Sequence, residues 1–148
     1  MTPWSRLIGG NRRGWSRADP GAEVERPYDL PSWSLERPYS FFTSSDIPER
    51  AGIYIIYDGD GERPYYIGQS RNLRRRLLID HRRGNGKSSI FRRKLASLKR
   101  LDDEPAVTLY ILEKCSIRFL ELESEWERLE LEHFATALLA PLLNVRGG

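Results

Sequence analysis

Cysteine is nearly absent from this chain of 148 residues: Cys115 stands alone, so no internal disulfide can form and nothing points to an oxidising compartment. With no cysteine or histidine partner at metal-ligand spacing, Cys115 reads as a core residue. The first stretch, MTPWSRLIGGNRRGW, lacks the apolar segment that a signal peptide needs. No apolar run elsewhere approaches membrane-spanning length. No internal repeat is visible. These absences point to a cytoplasmic protein with no membrane partner. What is present suffices for a folded domain: 39% apolar and 30% charged residues argue against whole-chain disorder.

Charge is segregated. Residues 68–100 carry twelve Lys or Arg against Asp80 as the one acid, a net +11. Residues 101–148 carry four basic and ten acidic side chains, a net −6. A block of +11 within one domain makes a local field whose natural partners are polyanions. The plain alternative is a pair of solvated helical faces.

Residues 1–45 are rich in Pro, Gly, Ser, Trp and Arg without a sustained period, and read as an N-terminal arm. Trp4, Trp15 and Trp33 are apolar enough that parts of the arm are expected to pack on the domain that follows, residues 46–148. Gly9-Gly10-Asn11-Arg12-Arg13-Gly14 reads as an ordinary flexible segment. Gly52-Ile53-Tyr54-Ile55-Ile56-Tyr57 is β-branched and aromatic, hence a strand. Asp58-Gly59-Asp60-Gly61 is turn chemistry, and Pro64-Tyr65-Tyr66-Ile67-Gly68 is the returning strand of a hairpin. Pro64 suits a strand's first residue or an edge.

A helix follows, capped by Ser70 or Asn72, with Leu73, Leu77 and Leu78 as its apolar stripe. Ser88 begins another, with Phe91, Leu95 and Leu98 facing inward. Pro105 after three acids opens a third helical segment, whose Val107, Tyr110 and Ile111 also alternate tolerably as a strand. Residues 116–122 alternate as a third strand. Ser124 and Glu127 form a capping box for a helix running to about Leu139. The expected fold is α/β (α+β): a small, three-stranded, mostly antiparallel sheet flanked by helices.

Gly52-Ile53-Tyr54, followed twelve residues later by Tyr66-Ile67-Gly68, resembles the paired signature of the GIY-YIG nucleases. Arg76 stands eight residues past Gly68, and Asn144 twelve past Glu132 with Pro141 between, as that family's arginine, glutamate and asparagine do. The resemblance covers roughly residues 46–148. It implies an endonuclease that hydrolyses DNA phosphodiesters with Mg²⁺ or Mn²⁺ and no small-molecule cofactor.

The residue types fit that chemistry. Phosphodiester hydrolysis needs positive charge at the phosphate, an activated water and donors for the developing negative charge. Glu132 would anchor a Mg²⁺ that keeps most of its waters. The plain alternative makes it one of a string of surface glutamates. Arg76 would clamp the scissile phosphate. Tyr54 and Tyr66 can share one face of the hairpin and position or activate water, with Tyr54 the first choice of general base over Tyr66 and His81. Asn144 would brace the site. Gly52 and Gly68 would let backbone or phosphate approach closely. Arg71, Arg74, Arg75, Arg82, Arg83, Lys87, Ser88, Arg92, Arg93 and Lys94 are the expected phosphate-tracking residues.

Two positions depart from the family. At one of them some members carry a His just before a Ser-Ser-Ile, where this chain has Lys87 before Ser88-Ser89-Ile90. At the other, many members carry His or Tyr one turn after the arginine, where this chain has Asp80, and His81 comes next. On a regular helix residue 81 points about 140° away from residue 76. His81 therefore serves only if the helix loosens. His133 reads as packed or surface. The rival readings are a non-catalytic nucleic-acid-binding module and an RNA-directed nuclease.

Overall fold

The computed structural model describes residues 33–57, 59 and 64–144. Most of the expected arm, including Trp4, Trp15 and the Gly9–Gly14 stretch, lies outside them, as does most of the hairpin turn. The elements in chain order are β1 (Arg37–Pro38), a 3₁₀ turn (Tyr39–Phe41), β2 (Gly52–Tyr57) and β3 (Pro64–Ser70). Helix α1 opens as α-helix over Leu73–Arg75 and continues as a π-helical stretch over Arg76–His81. Helices α2 (Ile90–Lys99) and α3 (Glu104–Lys114), strand β4 (Ser116–Glu121) and helix α4 (Glu125–Leu139) follow. No described helix is long and apolar enough to cross a membrane.

The sheet is antiparallel throughout, in the order β1-β4-β2-β3. It has four strands where the sequence suggests three. The fourth is the two-residue β1, pairing Arg37 with Ile117 and Pro38 with Ser116. Two residues carry no readable alternation, and one of them is a proline, confined to an edge because it donates no ladder hydrogen bond. The core also reaches back before residue 46. Trp33 and Tyr39 are buried, and Ser34 N–H donates to Phe119 O at 2.8 Å.

β2 lies in the middle and is buried on both faces. Tyr54 and Ile56 join one core with α1, α2 and α3, while Ile53, Ile55 and Tyr57 join Leu131 and Ala135 of α4 in the other. That is the period-two alternation of a strand covered on both sides. On β3, Tyr66 pairs with Ile56 and Gly68 with Tyr54, so all four share the α1 face. The segment after α4 returns along the free edge of β3, with Leu142 and Leu143 N–H donating to Pro64 and Tyr65 carbonyls at 3.2 and 2.7 Å.

The helices start where local chemistry allows. Asn72, Ser89, Asp103 and Ser124 each accept a first-turn N–H with their side chain. The segment around Tyr110 is helix rather than strand, because Asp103 caps it and Pro105 is pre-set for the first turn.

Arg92 ties three helices together. Its guanidinium donates to His81 O (3.1 Å) and Arg82 O (2.9 Å) at the end of α1, and to the carbonyl, carboxylate and hydroxyl of Glu104 and Thr108 in α3. It is 1% exposed. The expectation that Arg92 contacts phosphate is therefore corrected. Its donors are spent on the orphan carbonyls of a helix end, which cost about 1–3 kcal/mol each when buried unpaired. Replacing Arg92 with Met should lower unfolding free energy by about 3 kcal/mol in urea titration, near the low end for breaking a buried pair because Glu104 is half exposed. Were Arg92 a phosphate contact instead, the same variant would reduce the salt slope of any nucleic-acid binding by about one.

Candidate active site

The site is built where β2, β3, α1 and α4 meet. Tyr54 points from the centre of β2 across the strand to Gly68. A Cβ on Gly68 would overlap the Tyr54 phenol, with its Cζ only 2.6 Å away. A Cβ on Gly52 would collide with the Leu120 carbonyl and would lie 2.5 Å from Leu73 Cδ1. At Gly52 it is backbone that approaches closely, as the sequence suggested, with Leu73 beside it; at Gly68 it is the Tyr54 side chain. Gly68 makes room for the Tyr54 phenol, and Gly52 lets α1 seat on the sheet.

The π-helical stretch decides His81. Its wider turn brings residue 81 round to the face of Arg76, where regular α-helix would turn it away. Tyr39 Oη donates to the Leu77 carbonyl at 2.5 Å, within this stretch. His81 Nε2 then lies 2.6 Å from Tyr54 Oη, and Nδ1 lies 2.6 Å from Ser89 Oγ, the α2 cap. The imidazole also meets the rings of Tyr54, Tyr66 and Phe91 with centroids 5.3, 5.8 and 5.4 Å away. Ser89 was not among the expected site residues. Its signal was present, a serine immediately before the apolar Ile90-Phe91 pair, but Ser88 invites the same role.

Charge surrounds these rings. Arg76 is partly exposed and pairs with Asp80 at 3.5 Å, the residue that takes the family's His or Tyr position. Glu132 is half-buried, next to Leu131, which anchors α4 in the second core. Burial raises its carboxyl above the ordinary range, with His133 opposing weakly. Burial raises Tyr54 well above 10 and Tyr66 upward; Glu132 pushes both higher and Arg76 pulls both down. Burial first, then Arg76 and Arg92, lowers His81 to about 3. Arg76 and Glu132 thus act on the same two phenols from separate helices.

Asn144 lies partly buried at the β3 edge. Its Oδ1 accepts from Ile67 N–H at 2.7 Å, and its Nδ2 donates to Ile67 O at 2.8 Å. One side chain thereby supplies both bonds of a strand partner and locks the β3 backbone between Tyr66 and Gly68. His133 is exposed, and Cys115 is buried in the first core.

The expected phosphate-tracking residues divide into two groups. Arg71, Arg75, Arg83, Lys87, Ser88 and Arg93 are exposed. Arg74 is partly buried, donating to Ile47 O at 2.8 Å and pairing with Glu49 at 2.7 Å. Arg82 donates to Phe42 O at 2.8 Å and Lys94 to Leu143 O at 2.9 Å. These three, like Arg92, hold parts of the fold together.

Residues 50–134 match the GIY-YIG catalytic domain family model. The chain belongs to the GIY-YIG nuclease family. Among curated relatives, UvrABC system protein C of Dictyoglomus thermophilum is 33% identical over 102 residues, covering 68% of this chain and 14% of that protein. Its counterpart in Synechococcus sp. is 36% identical over 87 residues, covering 59% and 11%. The chain thus spans less than a sixth of the length of either. Among solved structures, the GIY-YIG N-terminal endonuclease domain of UvrC from Thermotoga maritima, bound to magnesium as its catalytic divalent cation, is 22% identical over 67% of this chain and 88% of that one, with a TM-score of 0.43. A point-mutant form of that domain gives 22% and 0.44.

In this GIY-YIG chain the buried imidazole links stability to pH. His81 takes a proton at about 3 when folded and near its ordinary 6.5 when unfolded. Its contribution to stability is full above about pH 6.5 and falls as pH drops toward 3, because the unfolded chain then binds the extra proton. The stability lost on His81→Gln should therefore be largest near neutral pH. It should shrink by up to about 2 kcal/mol between about pH 7.5 and about pH 5, at about 1.4 kcal/mol per pH unit below 6.5. Urea unfolding of both proteins at the two pH values checks this.

Proposed function

We propose that this chain is a cytoplasmic, Mg²⁺-dependent endonuclease that hydrolyses DNA phosphodiester bonds. The observation that carries the reading is the 2.6 Å contact between Tyr54 Oη and His81 Nε2, set where Arg76 and Glu132 both act on the phenols. Membership of the GIY-YIG family supports it, as does the exposed basic surface of Arg71, Arg75, Arg83, Lys87 and Arg93, which suits a phosphate backbone.

Glu132 fits a hard cation. No described residue donates a hydrogen bond to its carboxylate, and its environment penalises an uncompensated negative charge. Among the described residues no group of three or more His, Cys, Asp or Glu could hold a metal ion, so a cation here would rest on one carboxylate and its own waters. When bound, Mg²⁺ would supply the positive charge that polarises a water and offsets charge gathering on phosphorus.

The chain's own residues do the rest. Arg76 reaches the phosphate and stabilises its added negative charge. Tyr54 accepts the proton of the attacking water as the phenolate, a form that burial opposes and Arg76 favours. Tyr66 positions that water from the neighbouring strand, and Asn144 holds the β3 backbone on which Tyr66 rides.

Incubating the protein with supercoiled, linear, branched and single-stranded DNA, with and without Mg²⁺, tests the reading; no Mg²⁺-dependent cutting of any of them would refute it. Glu132→Gln should reduce single-turnover cleavage by at least about 10²-fold, while DNA affinity stays within about twofold or rises, because a negative charge is removed. Arg76→Ala should cost about 10²–10³ in rate, the typical loss of one preorganised donor. Arg75→Ala removes the same charge from an exposed neighbour and should mainly weaken binding. Equal rate losses at the two positions would make them a diffuse basic patch.

A further inference from the structure

We propose that Arg128 and Gln69 are positioning residues that set the register of α4 against β3 and so place the Glu132 carboxylate at the site. The functional half of this rests on the nuclease reading; the structural half concerns the seating of α4 alone.

Arg128 lies one helical turn before Glu132, and residues four apart on a helix share a face. It is 3% exposed. Its Nε donates to Gln69 Oε1 at 2.9 Å, and its Nη1 donates to the Leu122 and Glu123 carbonyls at 3.0 and 2.7 Å. One guanidinium thereby joins α4 to the end of β4 and to the residue that follows Gly68 on β3. Gln69 pairs across the ladder with Ile53, so it stands on the sheet face that α4 covers.

All three acceptors are neutral. Replacing buried ionic groups by well-packed apolar ones is often neutral or stabilising, so stability alone is a weak reason for this arginine. What it adds is direction. In the core beneath α4, Leu131 and Ala135 meet Ile53, Ile55 and Ile67. Apolar burial is non-directional, and holds a helix on a sheet without choosing its place along the axis. Hydrogen bonds weaken steeply with distance and angle, and therefore choose it. Among the described residues no other side chain of α4 hydrogen-bonds to the sheet.

The position matters because Glu132 acts on Tyr54 and Tyr66 from this helix. A cation that rests on one carboxylate and its own waters depends closely on where that carboxylate stands. A misplacement of about 1 Å in such a site can cost about 10²-fold in rate.

The test uses the full chain and three variants. Gln69→Leu removes the acceptor of Arg128 Nε, and Gln69→Glu keeps one. Arg128→Lys keeps the charge but loses the planar fork that reaches several acceptors. Methyl NOEs from Leu131 and Ala135 to Ile53, Ile55 and Ile67 report the register without metal or DNA. Gln69→Leu and Arg128→Lys should change that pattern, and Gln69→Glu should keep it. A Mg²⁺ titration followed by α4 amide shifts, again without DNA, gives the metal affinity. It should fall by about 10–10²-fold in Gln69→Leu, as loss of an outer-shell partner does elsewhere. In Gln69→Glu it should stay within about threefold or tighten. The Mg²⁺ concentration for half-maximal single-turnover cleavage should move with the affinity. A merely structural role would lower stability and leave the Mg²⁺ affinity of the folded protein unchanged. A Gln69→Leu protein with the wild-type NOE pattern overturns the proposal, as does one with a changed pattern and wild-type Mg²⁺ affinity. If Arg128→Lys does not fold, the two Gln69 variants decide by themselves. Failure of wild type to bind Mg²⁺ and cut DNA would instead overturn the nuclease reading, while the NOEs still decide whether the pair sets the register.

Discussion

His81 sits between two hydroxyls, 2.6 Å from each, with almost no exposure to solvent. A buried neutral imidazole must satisfy both nitrogens or bear the cost of an orphan polar atom. That requirement draws together parts of the chain far apart in sequence. Tyr54 must project from the middle of β2, which requires Gly68 opposite it. His81 must turn toward that phenol, which requires the π-helical turn. Ser89 must arrive from the start of α2, which requires Arg92 to bind the end of α1 to α2 and α3.

The same arrangement sets the electrostatics. Burial pushes both phenols up and the imidazole down, so each ring favours its neutral form. Against that neutral cluster stand two charged groups of opposite sign, Arg76 and Glu132, on different helices. Groups whose protonation is set by burial and modulated by a nearby charge pair are a recurrent mark of reactive sites. Here the pattern is specific, because Arg76 lowers and Glu132 raises the same two phenols.

The basic segment divides by burial rather than by sequence. Arg92, Arg74, Arg82 and Lys94 donate to main-chain carbonyls, while Arg71, Arg75, Arg83, Lys87 and Arg93 remain in solvent. A net +11 therefore overstates the charge presented to a polyanion, although the sign of that surface does not change.

Much was legible in the residues themselves. The hairpin strands and the α2 to α4 helices are local, each resting on a few neighbouring residues such as Pro105 after acids or Ser124 before Glu127, although the α2 cap is Ser89 and not the Ser88 the sequence suggested. The five motif residues Tyr54, Tyr66, Arg76, Glu132 and Asn144 were named by the resemblance to the GIY-YIG family, not by composition or periodicity. Other features were fixed only by tertiary contact. The π-helical turn has no side-chain pattern of its own, and it is associated with a hydroxyl from Tyr39, 38 residues upstream of the carbonyl it binds. β1 is too short to alternate, and forms because β4 offers an open edge. Whether an arginine meets solvent or a carbonyl depends on what the fold places beside it, and four arginines in a row of basic residues look alike until a helix end needs a cap. The sequence by itself determined which residue types were available and how each segment prefers to fold; the tertiary structure decided which of them touch, because hydrogen bonds act over about 3 Å and only the folded chain sets distances that small.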